Sequence, residues 1–188
     1  MVDRFVSRAH RYRYASDCQV QRDAAGKPAL LNGSGNPLPR TCTISHSRDW
    51  LACAFGEDQA VGIDIEVAKA RNYVETGTWF FGSDVGERLA KAAPALQRQW
   101  FYQAWTAYEA LYKCGVNMRR NMAPMLWGAT PPGKSNITLQ WLLGPCDLYA
   151  CVALLSDPPA GPQIITVLRE DGATFTADAR WRAAARAS

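Results

Sequence analysis

Two carboxylates stand two residues apart, Asp64 and Glu66, in the segment Val61-Gly62-Ile63-Asp64-Ile65-Glu66. Side chains at i and i+2 of an extended chain point to one face, so the spacing predicts neighbouring carboxylates on a strand. With ordinary pKa values of about 3.9 and 4.3 both are ionised at neutral pH, and adjacent anions repel unless a cation lies between them. Oxygen-only ligation of this kind suits Mg²⁺, which takes one or two carboxylates together with water and substrate phosphates. The same pattern also fits a solvent-facing strand with Ile63 and Ile65 turned to the core.

A second group lies in Trp105-Thr106-Ala107-Tyr108-Glu109-Ala110-Leu111-Tyr112-Lys113. Glu109 and Lys113 are four apart and share a helix face, which suits a surface ion pair worth a few tenths of a kcal/mol. Phe101, Tyr102, Trp105, Tyr108 and Tyr112 leave little of such a helix for solvent, which also places the pair at the edge of a lined cleft. A third group, Ser45-His46-Ser47, sits at a strand end before the turn into Trp50, where hydroxyls, an imidazole and turn amides together can bind phosphate. Gly26-Lys27-Pro28 adds a cation in a tight loop.

The elements that must position these residues follow from pattern. Residues 1–14, mixed apolar and basic, read as one helix, and the Gly- and Pro-rich stretch 26–39 as loop or turn. Short, partly alternating runs at 41–45, 50–55 and 61–66, separated by polar turns, predict an antiparallel meander. From Thr78 to Cys114 the period lengthens to that of helices. Ser83 is the expected N-cap of the first, Pro94 the interruption, and Gly115 the stop of a second helix over 95–114. A loop is expected over 117–135, then strands at 137–142, 148–155 and 163–168. This order predicts an α+β fold. The run Asp49 to Ala54 followed by Val61 to Asp64 is echoed by Asp147 to Val152 followed by Gly161 to Ile165, which hints at two related halves.

Composition narrows the class. The 188 residues, 48% of them hydrophobic, are enough for a real core, in one unit or in two small halves sharing an interface. The opening residues carry charge every few positions and no later run is long enough to span a membrane, so a soluble cytoplasmic protein is expected. Six scattered cysteines without a Cys-x-x-Cys pair read as free thiols in a reducing compartment, not a zinc site. The net charge is only +4, but Arg4, Arg8, Arg11 and Arg13 crowd one end and Arg180, Arg182 and Arg186 the other. Such clusters suit an anionic ligand or an acidic protein, and equally the solvated faces of terminal helices.

In chain order the groups are Gly-Lys-Pro, Ile-Ser-His-Ser, Val-Gly-Ile-Asp-Ile-Glu and Trp-Thr-x-x-Glu-Ala-x-x-Lys. This series resembles the 4′-phosphopantetheinyl transferase superfamily, in its Sfp-type pseudo-dimeric branch, over about 26–113 and more weakly through the closing strands. The resemblance implies a holo-[acyl-carrier-protein] synthase-type enzyme that moves the phosphopantetheine arm of coenzyme A onto a serine of an acidic apo-carrier protein. It implies two similar α+β halves, 1–60 in shortened form and 61–188, with coenzyme A in the cleft between them. A monomer is expected, with no nucleic-acid or membrane partner.

By the same resemblance Asp64, Glu66 and Glu109 would hold Mg²⁺, with Glu109 as a base for the attacking serine and Lys113 steadying the phosphate. Ser45 and His46 would contact coenzyme A, His46 at its 3′-phosphate, and Lys27 and Pro28 would lie along its adenine end. Two positions depart from the family pattern. Tyr108 stands where a lysine usually precedes the helix glutamate, and only a short segment precedes Gly26. Both motivate a second reading, a binder of coenzyme A or carrier protein that has lost catalysis. A third reading, an unrelated Mg²⁺-dependent phosphohydrolase, accounts for the carboxylates but not for the Gly-Lys-Pro and Ser-His-Ser groups.

Overall fold

The computed structural model describes residues 2–24, 26–57, 59–116, 137–155, 166–169, 174–176 and 182–183. The expected loop at 117–135 and the strand signal at 163–165 lie outside them. The chain is α+β. Helix α1 (Val2–Tyr14) leads into strands β1 (Gln19–Arg22), β2 (Pro28–Leu31), β3 (Pro37–Ser47), β4 (Trp50–Glu57) and β5 (Ala60–Val67). Helices α2 (Tyr73–Phe81), α3 (Ser83–Lys91) and α4 (Pro94–Lys113) follow, then β6 (Ile137–Gly144), β7 (Leu148–Leu155), β8 (Thr166–Arg169), β9 (Thr174–Thr176) and β10 (Arg182–Ala183).

These strands form two antiparallel sheets, ordered β1-β2-β3-β4-β8-β9 and β10-β6-β7-β5. Alternation along each strand fixes what lies between them. Trp50, Ala52 and Ala54 of β4 face Val61, Ile63, Ile65 and Val67 of β5 in one apolar layer, joined by Leu148, Ala150, Val152 and Leu154 of β7. The opposite side of the first sheet, with Leu30, Cys42, Cys53 and Phe55, packs on Phe5, Val6 and Ala9 of α1. Trp141, Tyr149, Cys151 and Ala153 of the second sheet pack on Phe101, Ala104, Ala107 and Leu111 of α4. The result is four layers, helix, sheet, sheet, helix.

Four expectations are corrected. The meander is broken, because β5 leaves β4 at the turn and pairs with β7 from Ala60↔Leu155 to Val67↔Leu148. Part of the supposed loop at 26–39 is strand. Pro37 and Pro39 are tolerated because the pairing of β2 with β3 shifts register there, between Ala29↔Thr41 and Leu31↔Pro37. The Gly-rich tip that remains is closed by Asn32, whose Oδ1 accepts from the amides of Ser34 and Asn36. Helix α2 is an additional element, started by Asn72, whose side chain accepts from the Glu75 amide. Ser83 is the first residue of α3 and not its cap, a position held by Gly82.

Helix α4 sets the frame of the site. Pro94 sits in its first turn, where a missing N–H costs nothing. Its end is a Schellman turn: Gly115, at φ 84°, donates to the Tyr112 carbonyl and Val116 to that of Leu111. Trp141 Nε1 donates to the Gln103 carbonyl at 3.0 Å, and Tyr102 stacks on Tyr149. The middle of the helix is thus pinned to β6 and β7.

Candidate active site

Glycine at position 62 lets α4 lie directly against β5, with Ala110 and Cys114 over it. Asp64, two residues on, is therefore buried beside the last turn of the helix. Lys113 reaches back to it: its ammonium donates to Asp64 Oδ1 at 2.9 Å and to the Ile63 carbonyl at 2.9 Å. Ser45 Oγ donates to the same Oδ1 at 2.7 Å. Asp64 Oδ2 is buried and, among the described residues, has no hydrogen-bond partner. Burial pushes the Asp64 carboxyl up to about 6, against the opposing pull of Lys113 and Ser45, with neighbouring Glu66 adding to the rise.

Glu66 is half-buried and accepts from Ser47 Oγ at 2.9 Å. Glu109 is also half-buried, one turn before Lys113 on α4. Among the described residues no three His, Cys, Asp or Glu side chains converge closely enough to hold a metal ion as they stand. Ser45 and Ser47 are buried and aim at β5, whereas His46 between them is exposed on the opposite face of β3. Lys27 is exposed in the β1–β2 turn, its amide tied to Asp23 Oδ1, and Pro28 opens β2 half-buried. The Lys27 ammonium is within electrostatic reach of Cys114 at the end of α4, where burial, the larger influence, pushes the thiol up to about 12. Tyr108 lies in a ring cluster, edge-on to Phe80 at 5.1 Å and stacked toward Tyr112.

The carboxylates rest on a seam that sequence reasoning missed. Strand β5 is the edge of its sheet, so the amides on its free side need acceptors. Strand β3 supplies them as hydroxyls: Thr43 Oγ1 accepts from Ile63 N–H at 3.1 Å, Ser45 Oγ from Ile65 N–H at 3.3 Å, and Ser47 Oγ from Val67 N–H at 3.0 Å. A hydroxyl has one proton and two lone pairs, so each can accept from an amide and still donate. Ser45 and Ser47 donate to the carboxylates of Asp64 and Glu66. The signal was present as two segments of the same period, Thr-x-Ser-x-Ser at 43–47 and Gly-x-Asp-x-Glu at 62–66.

A family model described as the 4′-phosphopantetheinyl transferase superfamily matches residues 60–167. Among curated proteins, the chain is similar to the 4′-phosphopantetheinyl transferase psf-1 of Bacillus pumilus, at 28% identity over 120 residues covering 61% of this chain and 51% of that protein. It is also similar to the 4′-phosphopantetheinyl transferase AcpT of Salmonella typhi, at 32% over 89 residues covering 47% of this chain and 44% of that protein. The chain spans about half the length, or less, of the curated relatives it matches.

Proposed function

The chain belongs to the 4′-phosphopantetheinyl transferase superfamily, and from that premise we propose that it transfers the 4′-phosphopantetheine arm of coenzyme A to a serine of an apo-carrier protein. The reading is of a Mg²⁺-dependent enzyme of the Sfp-type branch acting on an acyl, polyketide or peptidyl carrier. The observation that carries it is the Asp64 carboxylate, buried with one oxygen held by Lys113 and Ser45 and the other without a partner among the described residues. An unsatisfied buried carboxylate oxygen is costly, and a divalent cation relieves that cost.

The donor set fits Mg²⁺, which needs only one or two carboxylates and completes its shell with water and phosphate oxygens. Asp64 and Glu66 on β5 and Glu109 on α4 are the residues that would hold it. When bound, the ion neutralises charge building on the phosphate oxygens and the leaving group. In the reaction the serine Oγ bonds to the β-phosphorus of coenzyme A, the bond from that phosphorus to the bridging oxygen breaks, and 3′,5′-ADP leaves. Glu109 accepts the serine proton, and Lys113 stabilises the phosphate under attack.

Substrate binding is assigned to Lys27, Pro28, Ser45 and the exposed His46. The electrostatic influence of Lys27 on Cys114 at the end of α4 supports a nucleotide portion lying between the turn of the first sheet and that helix. Ser45 would have to swing its single proton from Asp64 to a phosphate oxygen. The order helix, sheet, sheet, helix supports two related halves, 1–60 and 61–188, although β8 joins the first sheet beside β4. Exposed Arg4, Arg8 and Arg11 on α1 suit encounter with an acidic carrier by a monomeric, cytoplasmic enzyme.

The test incubates the purified protein with an apo-carrier, coenzyme A and Mg²⁺ and records the carrier's intact mass. Gain of one phosphopantetheine is expected, and no gain with several carriers refutes the assignment. Tyr108, locked among rings where a cationic phosphate contact is usual, favours the second reading of a binder without catalysis. Coenzyme A binding in a calorimeter without mass transfer would select it.

A further inference from the structure

The hydroxyl seam does more than close a sheet edge. Three hydroxyls repeat along β3 with the same geometry, but they differ in what lies on their donor side. Ser47 Oγ accepts from the Val67 amide and donates to Glu66 Oε2. Thr43 Oγ1 accepts from the Ile63 amide, and the corresponding β5 position is Gly62, which has no carboxylate. Stability and carboxylate control are therefore separable within one seam. Ser47 is buried, has its acceptor side fixed by backbone, and so has little freedom in where its proton points. Glu66 has three side-chain torsions, and an unrestrained glutamate would spread over many rotamers.

We propose that Ser47 is a positioning residue for the cation site, holding one oxygen of Glu66 so that the carboxylate is presented beside Asp64. The proposal rests on the reading of Asp64 and Glu66 as Mg²⁺ ligands. Groups that hydrogen-bond a ligating side chain orient it and raise its effectiveness, and their loss commonly lowers metal affinity by about tenfold or more.

The experiment measures bound Mn²⁺ by electron paramagnetic resonance for the full chain in the presence of coenzyme A, against a protein-free coenzyme A blank, with thermal unfolding recorded in parallel. Ser47→Ala is expected to weaken Mn²⁺ by about tenfold, and Ser47→Thr, which keeps a hydroxyl, to restore most of it. Thr43→Val removes an equivalent amide acceptor and is expected to lower the unfolding temperature while leaving Mn²⁺ affinity within about twofold of wild type. Wild-type binding with Ser47→Ala unchanged overturns the role of Ser47 and leaves the cation site standing. A fall in affinity for Thr43→Val as large as for Ser47→Ala also overturns it, because the seam would then act only through stability. Absence of protein-dependent Mn²⁺ binding in wild type overturns the cation site itself, and this inference with it.

Discussion

Gly62 on β5 meets Ala110 on α4 so closely that a β-carbon at position 62 would stand 1.9 Å from the Ala110 carbonyl oxygen. No side chain fits there, and the obstacle is helix backbone, which cannot turn aside. The spacing of strand and helix, and with it the reach of Lys113 to Asp64, is set at this contact.

Gly62→Ala should therefore lift α4 from β5, destabilising the fold by about 2 kcal/mol or more and breaking the Lys113 pair. Gly33→Ala, where a β-carbon meets none of the described residues within 4 Å, is the control and should be near neutral. Chemical unfolding of both variants measures the difference, and equal midpoints would contradict the close approach.

The Asp64 carboxyl rises from an ordinary 3.8 to about 6 on folding. Between those values the folded chain holds the proton more firmly than the unfolded one. Its contribution is complete below about 3.8 and is lost as pH rises through about 6, so ligand-free stability falls over that window. The full effect is roughly 2–3 kcal/mol for a group this buried. Asp64→Asn should flatten the slope of stability against pH over this interval, and an unchanged slope would show that Asp64 does not titrate there.

Lys113 is the chief influence holding the Asp64 carboxyl down against burial. Lys113→Met should move its titration above about 6, in a direction that carbon-detected NMR of the Asp64 carboxyl reads directly. The same change should reduce carrier modification by two or more orders of magnitude, about 3 kcal/mol of lost transition-state stabilisation. Retained transfer would take Lys113 out of the reaction.

Tyr108→Lys restores the cation usual before the helix glutamate. It also removes ring contacts with Phe80 and Phe81, each worth about 0.5–1.5 kcal/mol. A lower unfolding temperature together with a smaller dissociation constant for coenzyme A is expected. If affinity is unchanged, position 108 does not face the substrate in this chain.

The parts of the fold legible in the sequence were those where one pattern dominates. The 3.6 period with Pro94 and Gly115 marked α4 closely, and alternation marked β4 and β5. Hidden parts were those where local and long-range terms disagree. Pro37 and Pro39 argue against strand locally, yet an irregular pairing with β2 accommodates them. The exit of β5 to a second sheet left no local mark, since a strand reads alike whichever sheet it joins. Within the site, the side-by-side spacing of Asp64 and Glu66 was readable from period two. The commitment of Ser45 and Ser47 to those carboxylates was not, because it depends on β3 lying along the free edge of β5.

That edge has a consequence for how the two sheets tolerate sequence drift. On its β7 side, β5 is bound by a backbone ladder, which is indifferent to the side chains it carries. On its β3 side, the joint is made by three particular hydroxyls, and each is a separate codon. Exchange of one for a residue without a hydroxyl opens a single tooth and leaves both ladders intact. The joint between the sheets can thus be loosened stepwise by single changes at 43, 45 or 47, and two of its three teeth are the ones that hold a carboxylate.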